Sequence, residues 1–539
     1  MNIQIFDTTL RDGIQGANVS YSVEDKLNIL RSLDKFGIGY IEAGTPFSNP
    51  KEQRFFELAV QRRMRHARLV AFGSTHRRGM TAENDEACLA LLSAETPAVT
   101  IFGKSWDFHA QEVLGVSNAE NLEMIENTVS FFKSRGREVF FDAEHFFDGY
   151  KNNPGYAVDT LIAAQRAGAD KIILCDTCGG CFPDEIHTIL SAVAKKLNRP
   201  VGVHFHNDVG CADANALMAV KAGADLIQGT FIGIGERCGN TNLSSVIPSL
   251  QLKLGHHCIP EENLPNLTRT ANRIAEITNI IPDSSLPYIG RNAFAHKGGM
   301  HVDGVLKNPT TFEHISPDTV GNSRHFLVSE VSGRSAAVNI LHKLGSNVSR
   351  TSEETSLLIN ALKQKENNGY QFESAAASVE LLALKALGEY KPTFSLIHYN
   401  TSGRMPVTDG ENSATALLKI RVGDSVEVTG AEGDGPVNAL DMALRRALEV
   451  FYPRLKNVRL SDYKVRVMNP GAATAANVRV LIDSTDGITS WTTVGVSTDI
   501  IEASWLALVD SMEYYLLINT QTEDSAAEEM FFENDHSHS

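Results

Sequence analysis

The chain reads as an α/β protein: a (β/α)8 TIM barrel over residues 1–265, a helical linker region over 266–388 and a smaller α+β domain over 389–519. Three observations predict this. Eight short β-rich runs alternate with longer stretches of helical spacing in the first half, and that number in roughly 250 residues suits a closed parallel barrel. The first run is followed by Thr8-Thr9-Leu10-Arg11-Asp12-Gly13, not by the Gly-rich phosphate loop of an open doubly wound sheet. Strand-like patterning returns only from about Lys391.

The β runs are Ile3–Asp7, Tyr40–Ala43, Leu69–Gly73, Val99–Gly103, Val139–Ala143, Lys171–Cys175, Val201–Phe205 and Leu226–Gly229. Ser22, with Asp25 three residues on, is an N-cap signature that opens the first helix. Helical spacing is clear over Leu122–Lys133 and Pro183–Leu197. Ala-Gly-Ala-Asp occurs at 167–170 and at 222–225, each time before a β run, where Gly ends a helix and turns the chain. Beyond the barrel, Leu267–Ile277 and Ser378–Leu387 read as helices. Thr415–Val422, Val465–Val467 and Val478–Ser484 read as strands, with helices at Ala439–Ala447 and Ile501–Met512. Residues 520–539 are acidic and end in His-Ser-His-Ser, the pattern of a disordered tail.

Composition narrows the function classes. Hydrophobic residues are 42% and charged residues 21% of 539, which allows ordinary cores and argues against wholesale disorder. Asp plus Glu number 65 against 49 Lys plus Arg, a formal net charge of −16. Such a chain offers no basic stripe to nucleic acid or to an anionic membrane. No signal peptide and no apolar run of membrane length is visible. Seven cysteines, an odd number, make no disulfide framework and predict a reduced, cytoplasmic protein.

In a TIM barrel the active site lies at the C-terminal ends of the strands. Polar residues gather there: Arg11, Asp12, Glu42, Thr75, His76, Lys104, His109, Glu144, Asp176, Thr177, His204, His206, Glu236, Arg237 and Asn240. So many ionisable groups are costly to bury unless they pair or bind a metal, so their convergence predicts an enzyme. His204 and His206 are two residues apart on a strand and point the same way. With Asp12 and Asn240 as oxygen donors they predict a thiolate-free divalent site, suited to Mg²⁺, Mn²⁺ or Zn²⁺. The plainer alternative is two histidines hydrogen-bonded in a polar strand end. Cys175-Asp176-Thr177-Cys178, with Cys181 beyond, is a Cys-x-x-Cys. Cys175 falls inside a β run, however, where it packs as a small apolar group, so no cysteine–zinc or iron–sulfur site is expected. The Phe131-Phe132 and Phe146-Phe147 pairs read as core.

Asp7–Gly13, His204-Phe205-His206-Asn207-Asp208 and Gly235-Glu236-Arg237-Cys238-Gly239-Asn240 together resemble the metal-dependent acyl-CoA lyase and synthase barrels. That family includes the 2-isopropylmalate, homocitrate and citramalate synthases. His296-Lys297-Gly298-Gly299-Met300-His301 is similar to the synthase motif beyond the barrel. Gly430–Leu448 and Asn469-Pro470-Gly471 resemble the synthases' C-terminal regulatory domain, which the lyases lack. Phe102–Asp107 and Asp142–Tyr150 are most similar to the citramalate synthase branch. The chain also departs from the pattern. Glu42–Phe47 stands for a Gly-Gly-Trp-Pro-Gly type sequence, Cys178 for an Asn, and Phe312 for a Tyr near the substrate.

The resemblance implies condensation of acetyl-CoA with a 2-oxo acid and hydrolysis of the thioester. On the citramalate branch the acid is pyruvate, the product (R)-citramalate, and the route leads to isoleucine. The implied roles are a metal held by Asp12, His204, His206 and Asn240, Arg11 stabilising the alkoxide, and Thr177 on the substrate carboxylate, with His109 lining the pocket. His301, supported by Glu144, is the implied base, since histidine ordinarily titrates near neutral pH. A homodimer and an isoleucine effector at the C-terminal domain are implied as well. Left open are a different 2-oxo acid (2-isopropylmalate or homocitrate synthase), a retro-aldol lyase, and a non-catalytic amino-acid sensor. The bland roles are a structural salt bridge from Arg11 to Glu42 or Glu144, and an exposed loop position for His301.

Overall fold

The computed structural model describes residues 1–326, 334–349, 351–404, 413–468, 476–487 and 489–517. The chain divides into two compact units, Met1–Phe294 with Ile315–Arg324, and Ala295–His314 with His325–Ser539.

In the first unit eight parallel strands close a barrel in sequence order. They are β1 (Gln4–Asp7), β2 (Tyr40–Glu42), β3 (Arg68–Ser74), β4 (Ala98–Lys104), β5 (Glu138–Glu144), β6 (Lys171–Asp176), β7 (Gly202–Phe205) and β8 (Leu226–Gly229). Every expected β run is a strand, its ends displaced by no more than one residue. The helices between and after them are α1 (Val23–Phe36), α2 (Pro50–Ala59), α3 (Glu86–Ser93), α4 (Asn118–Ser134), α5 (Phe146–Asn152), α6 (Pro154–Arg166), α7 (Pro183–Val193), α8 (Ala212–Lys221), α9 (Leu243–Pro248) and α10 (Leu267–Thr278). Ser22 opens α1 through a reciprocal capping box with Asp25. Gly168 (φ +96°) and Gly223 (φ +107°) end α6 and α8 in the left-handed region, as their repeated motif requires. The expected helix at 183–197 stops at Val193. Amphipathic α10 buries Leu267, Ala271 and Ile274 and packs on α1, so the first unit runs past residue 265.

Strand side chains alternate with a period of two, and this sorts the barrel interior into layers. Phe6, Tyr40, Val70, Ala98, Phe140, Ile173, Cys175 and Leu226 form one apolar cluster. Glu42, Thr100, Asp142 and Gln228, each two residues beyond a member of this cluster, and His204, two beyond Gly202, are buried polar groups. The Phe131-Phe132 and Phe146-Phe147 pairs are core, as expected.

The second unit holds α11 (Gly299–Lys307), α12 (Arg334–Lys343), α13 (Glu353–Asn367) and α14 (Ala376–Leu387), with a two-residue parallel pair, β9 (Ala295–His296) and β10 (His325–Phe326). Two antiparallel three-stranded sheets follow: β11 (Ser395–Gly403), β12 (Ala414–Val422), β13 (Ser425–Gly433), and β14 (Arg459–Val467), β15 (Val478–Thr485), β16 (Ser490–Ser497). They carry α15 (Pro436–Glu449) and α16 (Ile500–Leu517). On α15, Leu440, Ala443, Leu444 and Ala447 recur at helical spacing and pack against β12 and β13. The sequence pattern showed three of these six strands. β11 and most of β14 are exposed on both faces, so they lack the alternation that marks a half-buried strand. Asn469-Pro470-Gly471 and the acidic tail lie outside the described residues. Among the described residues no helix is long and apolar enough to cross a membrane.

Candidate active site

The sequence-singled residues of β1, β7 and the loop after β8 come together at the C-terminal mouth of the barrel. One donor atom from each of Asp12, His204 and His206 lies within 4.8 Å of the other two, and all three residues are buried. The two Nε2 atoms are 3.3 Å apart, and His204 Nε2 is 3.2 Å from Asp12 Oδ2. Asn240 stands beside them. Its Nδ2 donates to Asp12 Oδ2 at 2.9 Å, while its Oδ1 is buried without a partner among the described residues. Turning the amide over would aim that oxygen at the trio, since the two orientations differ only in the hydrogen-bond network.

The loop after β8 explains why Asn240 can sit there. Asn240 pairs with His206 as an isolated backbone bridge. A Cβ on Gly235 would fall 1.8 Å from Asn240 Oδ1, and one on Gly239 (φ +88°) 2.0 Å from Gly233 O. Gly is therefore required at both positions for the Asn side chain to reach the mouth.

Electrostatics fit a cation at this point. Burial raises the Asp12 carboxyl, but Arg11 and the two imidazoles outweigh it, and its pKa ends lowered. Burial pushes His204 down, yet the hydrogen bond and charge of Asp12 leave it raised. His206 falls to about 4 through burial and the neighbouring His204. The far side of the His204 ring is committed: Gln228 Nε2 donates to Asp142 Oδ1 at 3.0 Å, so Gln228 Oε1 faces His204 Nδ1 at 2.9 Å. That network assigns the Nδ1 proton and leaves the Nε2 lone pair aimed at the trio, as metal-binding imidazoles are usually oriented. Two imidazoles and a carboxylate with no thiolate suit a divalent cation.

Arg11 lies against this group. Its Nε donates to Glu42 Oε2 at 2.5 Å, its Nη1 is 3.3 Å from Asp12 Oδ2, and the Phe72 ring covers it at 4.0 Å. The salt bridge to Glu42 is thus real, and it holds the guanidinium at the wall of a cavity of about 200 Å³. Asp12, Glu144, Thr177, His204 and His206 also line this cavity. Thr177 Oγ1 accepts from the His145 backbone N–H at 2.9 Å, which leaves its own O–H to donate. Glu144 is ion-paired with Lys104. His109 is not among the lining residues; it stacks on Trp106 at 5.1 Å and packs on His145 at 4.2 Å. His301 belongs to the second unit, where its ring stacks on Phe312 at 4.0 Å. Cys175 is buried in the apolar barrel cluster, not in a metal set.

Sequence reasoning passed over Asp142, Gln228 and the pairing of Lys104 with Glu144. Asp142 and Gln228 had a usable signal: each occupies an inward position, two residues above an inward apolar one, on a run already identified as a strand.

Three family descriptions match the chain. Residues 2–274 match the HMGL-like family, 288–369 the homocitrate synthase post-HMGL domain-like family, and 373–516 the LeuA allosteric (dimerisation) domain. The chain is 50% identical over 516 residues to an (R)-citramalate synthase of Aquifex aeolicus, covering 96% of this chain and 98% of that one. It is 48% identical over 526 residues to the (R)-citramalate synthase of Geobacter sulfurreducens (97% and 99% covered). Against that of Synechocystis sp. it is 47% identical over 531 residues (96% and 97% covered).

Proposed function

This chain belongs to the (R)-citramalate synthase family of HMGL-like barrels, and from that premise we propose that acetyl-CoA and pyruvate are condensed in the Arg11 cavity. The overall reaction joins the acetyl methyl carbon to the pyruvate ketone carbon and, with water, releases CoA and citramalate. The observation that carries the reading is the Asp12, His204 and His206 trio beside Arg11 at the barrel mouth.

Asp12, His204 and His206 would hold a divalent metal, Mg²⁺, Mn²⁺ or Zn²⁺, with Asn240 adding its amide oxygen. Such an ion supplies Lewis-acid polarisation of the 2-oxo acid. The chain's own residues do the rest. Arg11, held by Glu42 and Asp12, presents fixed positive charge where the ketone oxygen becomes an alkoxide, and its rigidity means it need not reorganise as charge develops. Thr177 donates its free O–H to the substrate carboxylate. We assign methyl-proton removal to His301 on its motif, with Glu144 in support. His109, which packs on Trp106 and His145 outside the cavity lining, is given no part in binding the substrate.

The C-terminal domain is of the LeuA allosteric dimerisation type. A homodimer is supported by Leu417, Val426 and Val428, apolar side chains left exposed on the outer face of the β11–β13 sheet. An isoleucine effector, and with it a role in isoleucine synthesis, is supported by a cavity of about 680 Å³ lined by Ser402, Thr415, Glu432 and Arg446, whose opposite charges suit a free amino acid. The seven free cysteines favour a reducing, cytoplasmic setting.

Thiol release from acetyl-CoA, assayed with pyruvate, 2-oxoisovalerate and 2-oxoglutarate, tests the substrate. Pyruvate should be preferred, and preference for either larger acid would overturn the assignment. Arg11→Ala should lower kcat by about 10²–10³ if the guanidinium stabilises the developing charge; unchanged turnover would leave Arg11 only its salt bridge.

A further inference from the structure

We propose that His145, Asp148 and Cys178 form a second metal site, one that takes a thiophilic divalent cation such as Zn²⁺. One donor atom from each lies within 4.8 Å of the other two. His145 Nδ1 is 3.1 Å from Asp148 Oδ2 and 3.6 Å from Cys178 Sγ.

The backbone builds this cluster before any ion arrives. His145 precedes α5 in the left-handed region (φ 57°, ψ 31°), and Asp148 follows three residues on, so both side chains share one face of the first turn. Cys178 comes from the turn after β6. The His145 N–H bond to Thr177 Oγ1 ties that turn to the start of α5. Beside the cluster, the His109 ring packs on His145 at 4.2 Å with its Nδ1 buried and unpartnered among the described residues.

The donor set differs from the first site in kind. Asp12, His204 and His206 offer no sulfur, whereas this cluster joins imidazole, carboxylate and thiolate, the mixture zinc prefers. Two anionic ligands balance the charge of a divalent ion. Three protein ligands leave one tetrahedral position, and Cys178 is exposed, so that position opens to solvent and the ion can exchange. Binding breaks the Cys178 S–H bond and forms a sulfur–metal bond; the proton leaves to solvent. The rival reading is a thiol and an imidazole that merely hydrogen-bond to Asp148.

Full-length reduced protein, stripped of metal, is titrated with Co²⁺ and separately with Zn²⁺. The expected results are a thiolate-to-Co²⁺ charge-transfer band and two zinc ions bound per chain by equilibrium dialysis. Cys178→Ser should remove the band and one equivalent; His204→Ala should remove the other equivalent and keep the band. No turnover is read, so the result is independent of the reaction assigned above. Absence of the band in the wild type, its survival in Cys178→Ser, or a zinc stoichiometry that Cys178→Ser leaves unchanged overturns the proposal. Should Cys178→Ser fail to fold, X-ray absorption of the zinc-loaded wild type decides, since a ligated thiolate gives a sulfur shell at about 2.3 Å.

Discussion

Along β2, β4, β5 and β8, successive inward positions of the barrel hold opposite kinds of residue. Below, Phe6 meets Phe140 edge-on at 5.1 Å and Tyr40 meets Phe140 at 4.9 Å in a dry apolar plug. Two residues higher, Glu42, Asp142, Gln228 and His204 are equally buried but polar. Burial, and then the nearby charge of Glu42, raise Asp142 to about 7. Packing below stabilises a closed barrel rigid enough to keep charged groups dry above, where each would be unfavourable alone. Stability and chemistry are thus stacked along one strand, and substitutions should separate them.

The largest expected effect is at the mouth. His204→Ala removes a donor of the trio and should cut turnover by about 10²–10³, the range seen when a group that stabilises transition-state charge is lost. Its unfolding midpoint should move less than that of a lower-layer variant. Phe140→Ala supplies the contrast: truncating a buried Phe costs about 3–5 kcal/mol of stability, with kcat expected to stay within about threefold of wild type. Urea unfolding and steady-state kinetics on both variants check the pair. If Phe140→Ala lost activity at unchanged stability, the division between layers would be wrong.

Asp7 sharpens the comparison from the outer face of β1. It accepts from the Thr9 N–H and from Thr9 Oγ1, both at 2.9 Å, and is fully buried. Burial nonetheless raises its pKa from 3.8 to about 7. The folded chain therefore holds a proton that the unfolded chain releases. The stability this group contributes is full below the unfolded value and is lost as pH rises toward 7. Asp7→Asn should abolish a decline of about 1.4 kcal/mol per pH unit between pH 5 and 7. Denaturation midpoints of both proteins across that range measure it; parallel curves would show that Asp7 is not protonated in the fold.

Much of this arrangement could be read before any coordinates. Alternation of apolar runs with helical spacing located all eight barrel strands, because a parallel strand buried on both faces is a compact hydrophobic block. Asp12, His204 and His206 could be grouped because the mouth collects residues from strand ends, whatever their separation in sequence. The partners of these residues were harder. Glu42 was one of two acids open to Arg11, and Asp142 joins Gln228 across the barrel from 86 residues away. Pairings of that kind depend on strand order and register, which no local pattern carries. β11 escaped notice for another reason: its side chains are mostly exposed, so burial imposes no period on its sequence.

The smallest effect, at Gln228, tests whether the polar layer serves the site or only itself. Gln228 touches neither the cavity nor the trio's converging atoms; it holds the His204 ring by Nδ1 and is anchored by Asp142. Gln228→Leu removes both bonds at nearly constant volume. If the layer exists to orient His204, metal affinity and turnover should fall about 10–100-fold, or about 1.4–2.7 kcal/mol. Gln228→Glu, which keeps an acceptor for Nδ1, should recover most of that loss, a rescue that a packing role does not predict. Metal titration alongside kinetics separates weaker binding from slower chemistry. A Leu variant with wild-type affinity and turnover would mean that Asp12 and the backbone of β7 suffice to aim the imidazole, and that the buried Asp142–Gln228 bond belongs to the fold alone.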